Sequence, residues 1–163
     1  MRASTIVLLL TFISCKTARQ AASTQTLDFG SFTIDTPTGW TKIKMQGIDD
    51  LVGKIAIDRH DTLEYNLGVF ASSLEQLDEP DDDGKNPDTF SKSNVSRRTI
   101  NGRKAKIFTP KGYSNGMTGI YFDSLWKDGQ DIVKFNLVGQ NLNRENQIAV
   151  IRTFQTLQFR QKQ

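Results

Sequence analysis

Cysteine and histidine are almost missing from this chain, which carries one of each, Cys15 and His60, in 163 residues. A single cysteine excludes an intramolecular disulfide and a cluster of thiolate metal ligands. A single histidine cannot build the histidine-rich zinc site of a hydrolase. Any His-containing triad would have to use His60, with Asp58 or Asp61 as its orienter, and Asp58-Arg59-His60-Asp61 reads as a polar turn between strands. Long apolar runs are missing too: Ile6–Leu10 with Phe12 and Ile13 falls short of the ~20 residues that span a bilayer. Nor is there a large surplus of charge. The formal net charge is +3, which by itself implies no nucleic-acid partner. Gly112–Gly119 is a loop rich in Gly, Ser and Asn, but it lacks the Lys-Ser/Thr ending of a phosphate-binding loop and opens onto a strand, which argues against a nucleotide. No cofactor is expected.

What is present begins at the N-terminus. Met1-Arg2 gives a positive end, the apolar run follows, and the run closes on Phe12-Ile13-Ser14-Cys15. That order is the one a secretory signal needs, since the positive end stays behind while the apolar stretch enters the translocon. The closing tetrad resembles the bacterial lipobox, with Phe12 where Leu is usual. The resemblance implies cleavage before Cys15 and acylation of its thiol and new amino group. Two or more acyl chains hold a protein to a membrane stably where one does so marginally. The other reading is an ordinary secretory signal cut nearer Ala18 or Ala22. Lys16–Gln25 is polar, small and aperiodic, as a flexible tether is. No Asp follows Cys15 directly, so the lipoprotein resemblance implies an outer-membrane anchor facing the periplasm. The chain thus divides into a signal at 1–14, a tether at 15–25 and a single α+β domain at 26–160.

The domain opens with alternation. Leu27 and Phe29, then Phe32 and Ile34, have the period of a half-buried strand, with a phase slip at Gly30-Ser31. Thr36–Trp40 is a turn, with Trp40 as a core plug. Ile43 and Met45 continue a strand, Gly47–Asp50 breaks it, and Val52–Asp58 and Leu63–Val69 follow as strands. Asn94–Ile100 and Arg103–Thr109 form a hairpin on Asn101-Gly102, whose residues both tolerate φ > 0. Ile120–Trp126 and Ile132–Val138 read as the central, best-buried hairpin. Asn143 caps a helix with Ile148, Ile151 and Phe154 on the face laid against the sheet, and Leu157 and Phe159 complete the core. The pattern predicts an α+β fold: an antiparallel sheet of about six to seven strands with a C-terminal helix packed on one face.

Phe32-Thr33-Ile34-Asp35-Thr36-Pro37-Thr38-Gly39-Trp40 resembles the opening of PsbP-like α/β sandwich domains, and Ile148, Ile151, Thr153-Phe154, Leu157 and Phe159 are similar to their closing helix and short strand. Gly47–Gly53 with Tyr65–Phe70 also resemble stretches of bacterial lipoproteins. The PsbP-like resemblance implies a non-enzymatic domain that docks to a larger assembly, and it carries over no binding residue.

Charge is unevenly placed. Asp78–Asp88 holds six acids against one lysine, and its two prolines and like charges oppose regular structure. Its spacing is only partly that of a calcium loop, with Phe90 where the bidentate Glu is required, so no metal is expected. Lys92, Arg97, Arg98, Arg103, Lys104, Lys106 and Lys111 follow with no acid among them. Arg97, Arg98, Arg103, Lys104 and Lys106 are the candidate anion-binding residues, reading either as a patch for groups such as lipid phosphates or as the charged face that protects an exposed strand from edge-to-edge pairing. The expected protein is lipid-anchored and displays a small non-catalytic binding or assembly domain. Its partners are the membrane, through lipid on Cys15, and an envelope protein or an anionic glycan or lipid. The alternative is a small envelope hydrolase using carboxylates, for which acids such as Asp35, Asp49, Glu64 and Asp123 would have to converge.

Overall fold

The computed structural model describes residues 23–77, 93–112 and 116–161. β1 (Thr24–Asp28) and β2 (Phe32–Pro37) form where the sequence alternates, burying Leu27, Phe32 and Ile34. The phase slip between them is a tight turn: Gly30 adopts φ 83°, its N–H donates to Asp28 Oδ1 at 2.8 Å, and Phe29 N–H donates to the Phe32 carbonyl at 2.9 Å. After a second turn at Gly39 (φ 102°), Trp40 is buried, as its place in the sequence predicts.

Seven antiparallel strands make the main sheet. In spatial order they are β3 (Thr41–Lys44), β4 (Leu51–Ala56), β5 (Thr62–Gly68), β9 (Asp131–Gln140), β8 (Met117–Asp128), β7 (Arg103–Pro110) and β6 (Ser93–Ile100). The β6–β7 turn puts Asn101 at φ 47° and Gly102 at φ 79°, the left-handed pair that matches the twist of a two-residue hairpin. β9 lies at the centre, flanked by β8 and β5. β8 already begins at Met117, so the loop expected over Gly112–Gly119 gives up its end to the strand: Met117, Thr118 and Gly119 pair with Gln140, Gly139 and Val138.

A small second sheet, β1-β2-β10, adds to the expected architecture; β10 is Gln158–Phe159. It lies with α2 (Arg144–Thr153) over one face of the main sheet. Their shared core includes Phe32, Ile34, Ile55, Leu63, Tyr65, Ile107, Ile120, Phe122, Phe135, Leu137, Val150, Phe154 and Leu157. The expected fold class therefore stands: an antiparallel sheet with a C-terminal helix on one face. The helix is rotated from the expected stripe. Val150, Thr153 and Phe154 are buried, whereas Ile148 is 42 % exposed. Its N-terminus fixes that rotation. The Asn143 side chain caps Asn146 N–H at 3.0 Å, while Asn143 and Asn146 together donate to Asp61 Oδ2 at 2.7–3.0 Å.

The other face carries only α1 (Leu74–Leu77) among the described residues. Leu74 is buried against Phe108, Met117 and Tyr121. It can settle there because Gly119 has no side chain: a Cβ at that position would lie 2.6 Å from Leu74 Cδ1.

Candidate anion-binding site

Strand alternation decides which basic residues meet. On β6 and β7, Arg98 lies opposite Ala105 and Ile100 opposite Arg103, in the phase of the sealed core. Arg97 lies opposite Lys106 and Thr99 opposite Lys104, in the other phase, and Lys106 is in turn opposite Tyr121 of β8. Arg97, Thr99, Lys104, Lys106, Tyr121 and Asp123 thereby surround one basin of about 390 Å³ on the open face, with Arg98 and Ala105 completing its wall. Of the five candidate residues, Arg97, Lys104 and Lys106 share a face and Arg98 reaches the wall. Arg103 is drawn away, its guanidinium donating to the Leu125 carbonyl.

Glu75 of α1 already places a carboxylate on this surface. Its two oxygens each lie 3.0 Å from Lys106 Nζ, and Ser73 Oγ adds a bond of 3.3 Å. The bonded Lys106 ammonium holds the Glu75 carboxyl below the usual glutamate range, against the smaller opposing effect of burial, and Arg97 adds to the lowering. Tyr121, at 6 % exposure, forms the floor. Burial pushes its phenol up, assisted by the charges of Asp123 and Glu75. Among the described residues, no hydrogen bond engages the Tyr121 hydroxyl and no ion pair engages Arg97 or Lys104.

The other chemistry-bearing residues lie elsewhere. His60 is exposed in its turn. Asp58 Oδ1 accepts from the backbone N–H of His60 and of Asp61, and its Oδ2 accepts from Asn146. Those backbone bonds, first Asp61's and then His60's, hold the Asp58 carboxyl below its usual range. Both candidate orienters are therefore engaged in tying the turn to α2. Asp35 accepts from Thr26, Glu64 pairs with Lys54, and Asp123 borders the basin. Asp49 lines a separate cleft with Asp50, Asp128, Phe70 and Trp126, in which Asp50 Oδ2 is buried without a hydrogen-bond partner. The four candidate acids thus share neither a hydrogen-bond partner nor a cleft among those described. Cys15, Lys92 and the Asp78–Asp88 stretch lie outside the described residues.

The sequence reading missed Tyr121, Thr99 and Glu75. Tyr121 shares its phase with Asp123, a period-two signal hidden in a strand that reads as apolar on both sides. Glu75 belongs to a one-turn helix, and nothing in the spacing of residues 31 positions apart announces its bond to Lys106.

Comparison of the chain with family models and with curated proteins found no match.

Proposed function

We propose that this chain is an envelope protein held to the outer membrane through lipid on Cys15, facing the periplasm, and that its domain binds a ligand or partner without transforming it. The observation that supports the binding half is a contrast. Cations gather on one concave, open face of the sheet, while the carboxylates nearest the lone histidine are committed to backbone and amide donors. A basin lined by Arg and Lys over a tyrosine floor suits recognition of oxyanions, which such side chains meet with charge-assisted hydrogen bonds. The PsbP-like resemblance, with its docking role, agrees with this reading.

The test of anchoring is metabolic labelling with radioactive palmitate in a bacterial host, followed by envelope fractionation. The chain should label and sediment with membranes, and Cys15→Ala should do neither. Unchanged fractionation of Cys15→Ala would overturn the anchor.

The carboxylate hydrolase is the second reading, favoured by the cleft where Asp49, Asp50 and Asp128 accompany Trp126 and Phe70. Release of reducing ends from envelope glycans by the full chain, abolished in Asp50→Asn, would put it in place of the first.

A further inference from the structure

Resting on the reading of the open face as a binding surface, we infer that the basin is a site for a phosphoryl group, seated between Arg97 and Lys104 over Tyr121, with Lys106 shared between the ligand and Glu75. The argument begins with a cost. Arg97 and Lys106 stand directly opposite each other on neighbouring strands, where side chains lie about 4.5–5.5 Å apart at Cβ and like charges repel. Lys104 stands two residues from Lys106 on the same strand face, about 7 Å away. Three cations are thus pressed together where an apolar or oppositely charged pair would be more stable. Such departures from local consistency mark functional surfaces.

One cation of the group already holds an oxyanion. The Glu75 carboxylate sits on Lys106, symmetrically bonded through both oxygens. It meets the needs of one cation. Among the described residues no ion pair takes up Arg97 or Lys104, which leaves their donors for a second anion, and the Tyr121 hydroxyl, kept in its protonated form by burial and by neighbouring negative charge, is a third donor at the floor. A tetrahedral group with several acceptor oxygens can use donors from three directions, whereas a carboxylate offers its acceptors in one plane. A volume of about 390 Å³ is within the size range of small-molecule sites, so the phosphoryl group can be carried on a small polar body. Asp123 at the border provides an acceptor for that body's hydroxyls.

A lipid headgroup and a soluble phosphate ester present the same group, and the experiment separates them. The full chain, purified in detergent, is titrated with inorganic phosphate by calorimetry, and separately reconstituted and mixed with vesicles of equal parts phosphatidylcholine and phosphatidylglycerol. Phosphate should bind, and Lys104→Gln with Arg97→Gln should weaken it by about tenfold or more, since each removes a charge-assisted hydrogen bond. Glu75→Gln should strengthen it by freeing Lys106. Neither basic residue has an ion-pair partner among the described residues, and removing either relieves like-charge repulsion, so melting temperatures at or above the parent's exclude misfolding. Lys104-dependent binding to vesicles without binding of inorganic phosphate identifies the membrane as the source; the reverse identifies a soluble ester. Binding in neither arm, or binding that Lys104→Gln leaves unchanged, overturns the site. Cys15→Ala retains the basin, so failure of lipid labelling would leave this result standing, and failure here would leave the anchor standing.

Discussion

The two faces of the seven-stranded sheet are built by opposite means. One is sealed by the small sheet and α2 over a cluster of aromatic rings. Phe32 meets Phe135 edge-on with centroids 5.0 Å apart, and Phe159 meets Phe122 and Phe135 edge-on at 5.0 Å each. Among the described residues the other is covered by one short helix, whose Leu74 holds a small satellite of Phe108, Met117 and Tyr121 with Val138 packed against it; Arg97, Thr99, Lys104 and Lys106 stand beside it. The difference teaches where this domain can vary and where it cannot. A sealed face gains from each apolar atom withdrawn from water and tolerates little change of volume. The open face makes a small contribution to stability and is therefore free to carry chemistry.

The largest expected effect tests the sealed face. Phe135 is fully buried and touches rings of β2, β8 and β10. Phe135→Ala should cost about 3–5 kcal/mol, the usual range for deleting a buried ring. That is a large share of the roughly 5–15 kcal/mol by which such domains are stable. Urea denaturation monitored by circular dichroism measures it; a loss below about 1 kcal/mol would mean that the ring cluster does not hold the two sheets together.

Leu74→Ala probes the boundary between the two designs. Leu74 is as buried as Phe135, but its cluster is small, and only one short helix has to settle to close the gap. A loss of about 2–3 kcal/mol is expected, at the low end for leucine truncations. Hydrogen exchange should speed up in α1 and leave β5 and β9 unchanged. A loss as large as that of Phe135→Ala, with exchange raised across the sheet, would make the open face a second core and erase the comparison.

Legibility in the sequence follows the same division. Local signals placed the strands well: the slip at Gly30-Ser31, the turn at Gly39 and the Asn101-Gly102 hairpin all sit where backbone chemistry requires them. Lys104 and Lys106 alternate along β7 with Ala105 and Ile107, and the two faces of the strand follow that alternation. What could not be read was relational. The rotation of α2 depends on Asp58 and Asp61, more than 80 residues before the asparagines they hold. A run of basic residues likewise does not declare which members share a face until register is known. Arg103 belongs to the run by composition and leaves it by geometry.

The smallest expected effect concerns the Glu75–Lys106 pair, and its smallness is the point. The two side chains are 47 % and 24 % exposed, and partly exposed ion pairs contribute about 0–1 kcal/mol. Glu75→Gln should therefore shift the urea midpoint little. The sign of its pH dependence is fixed by the direction of the Glu75 shift. Because the folded carboxyl lies below its ordinary value, with the Lys106 bond as the leading cause, the pair's contribution is fully present above the ordinary glutamate range. It is lost as pH falls through the lowered folded value. Stability measured through that acid window should decline slightly more steeply for the parent than for Glu75→Gln, and the two curves should converge at its lower end. Added salt should narrow the gap between them, since exposed charges are screened over about 8 Å at physiological ionic strength. A cost above about 2 kcal/mol for Glu75→Gln at neutral pH would exceed what an exposed pair supplies. It would show that Glu75 holds α1 to the sheet structurally, beyond its bond to Lys106.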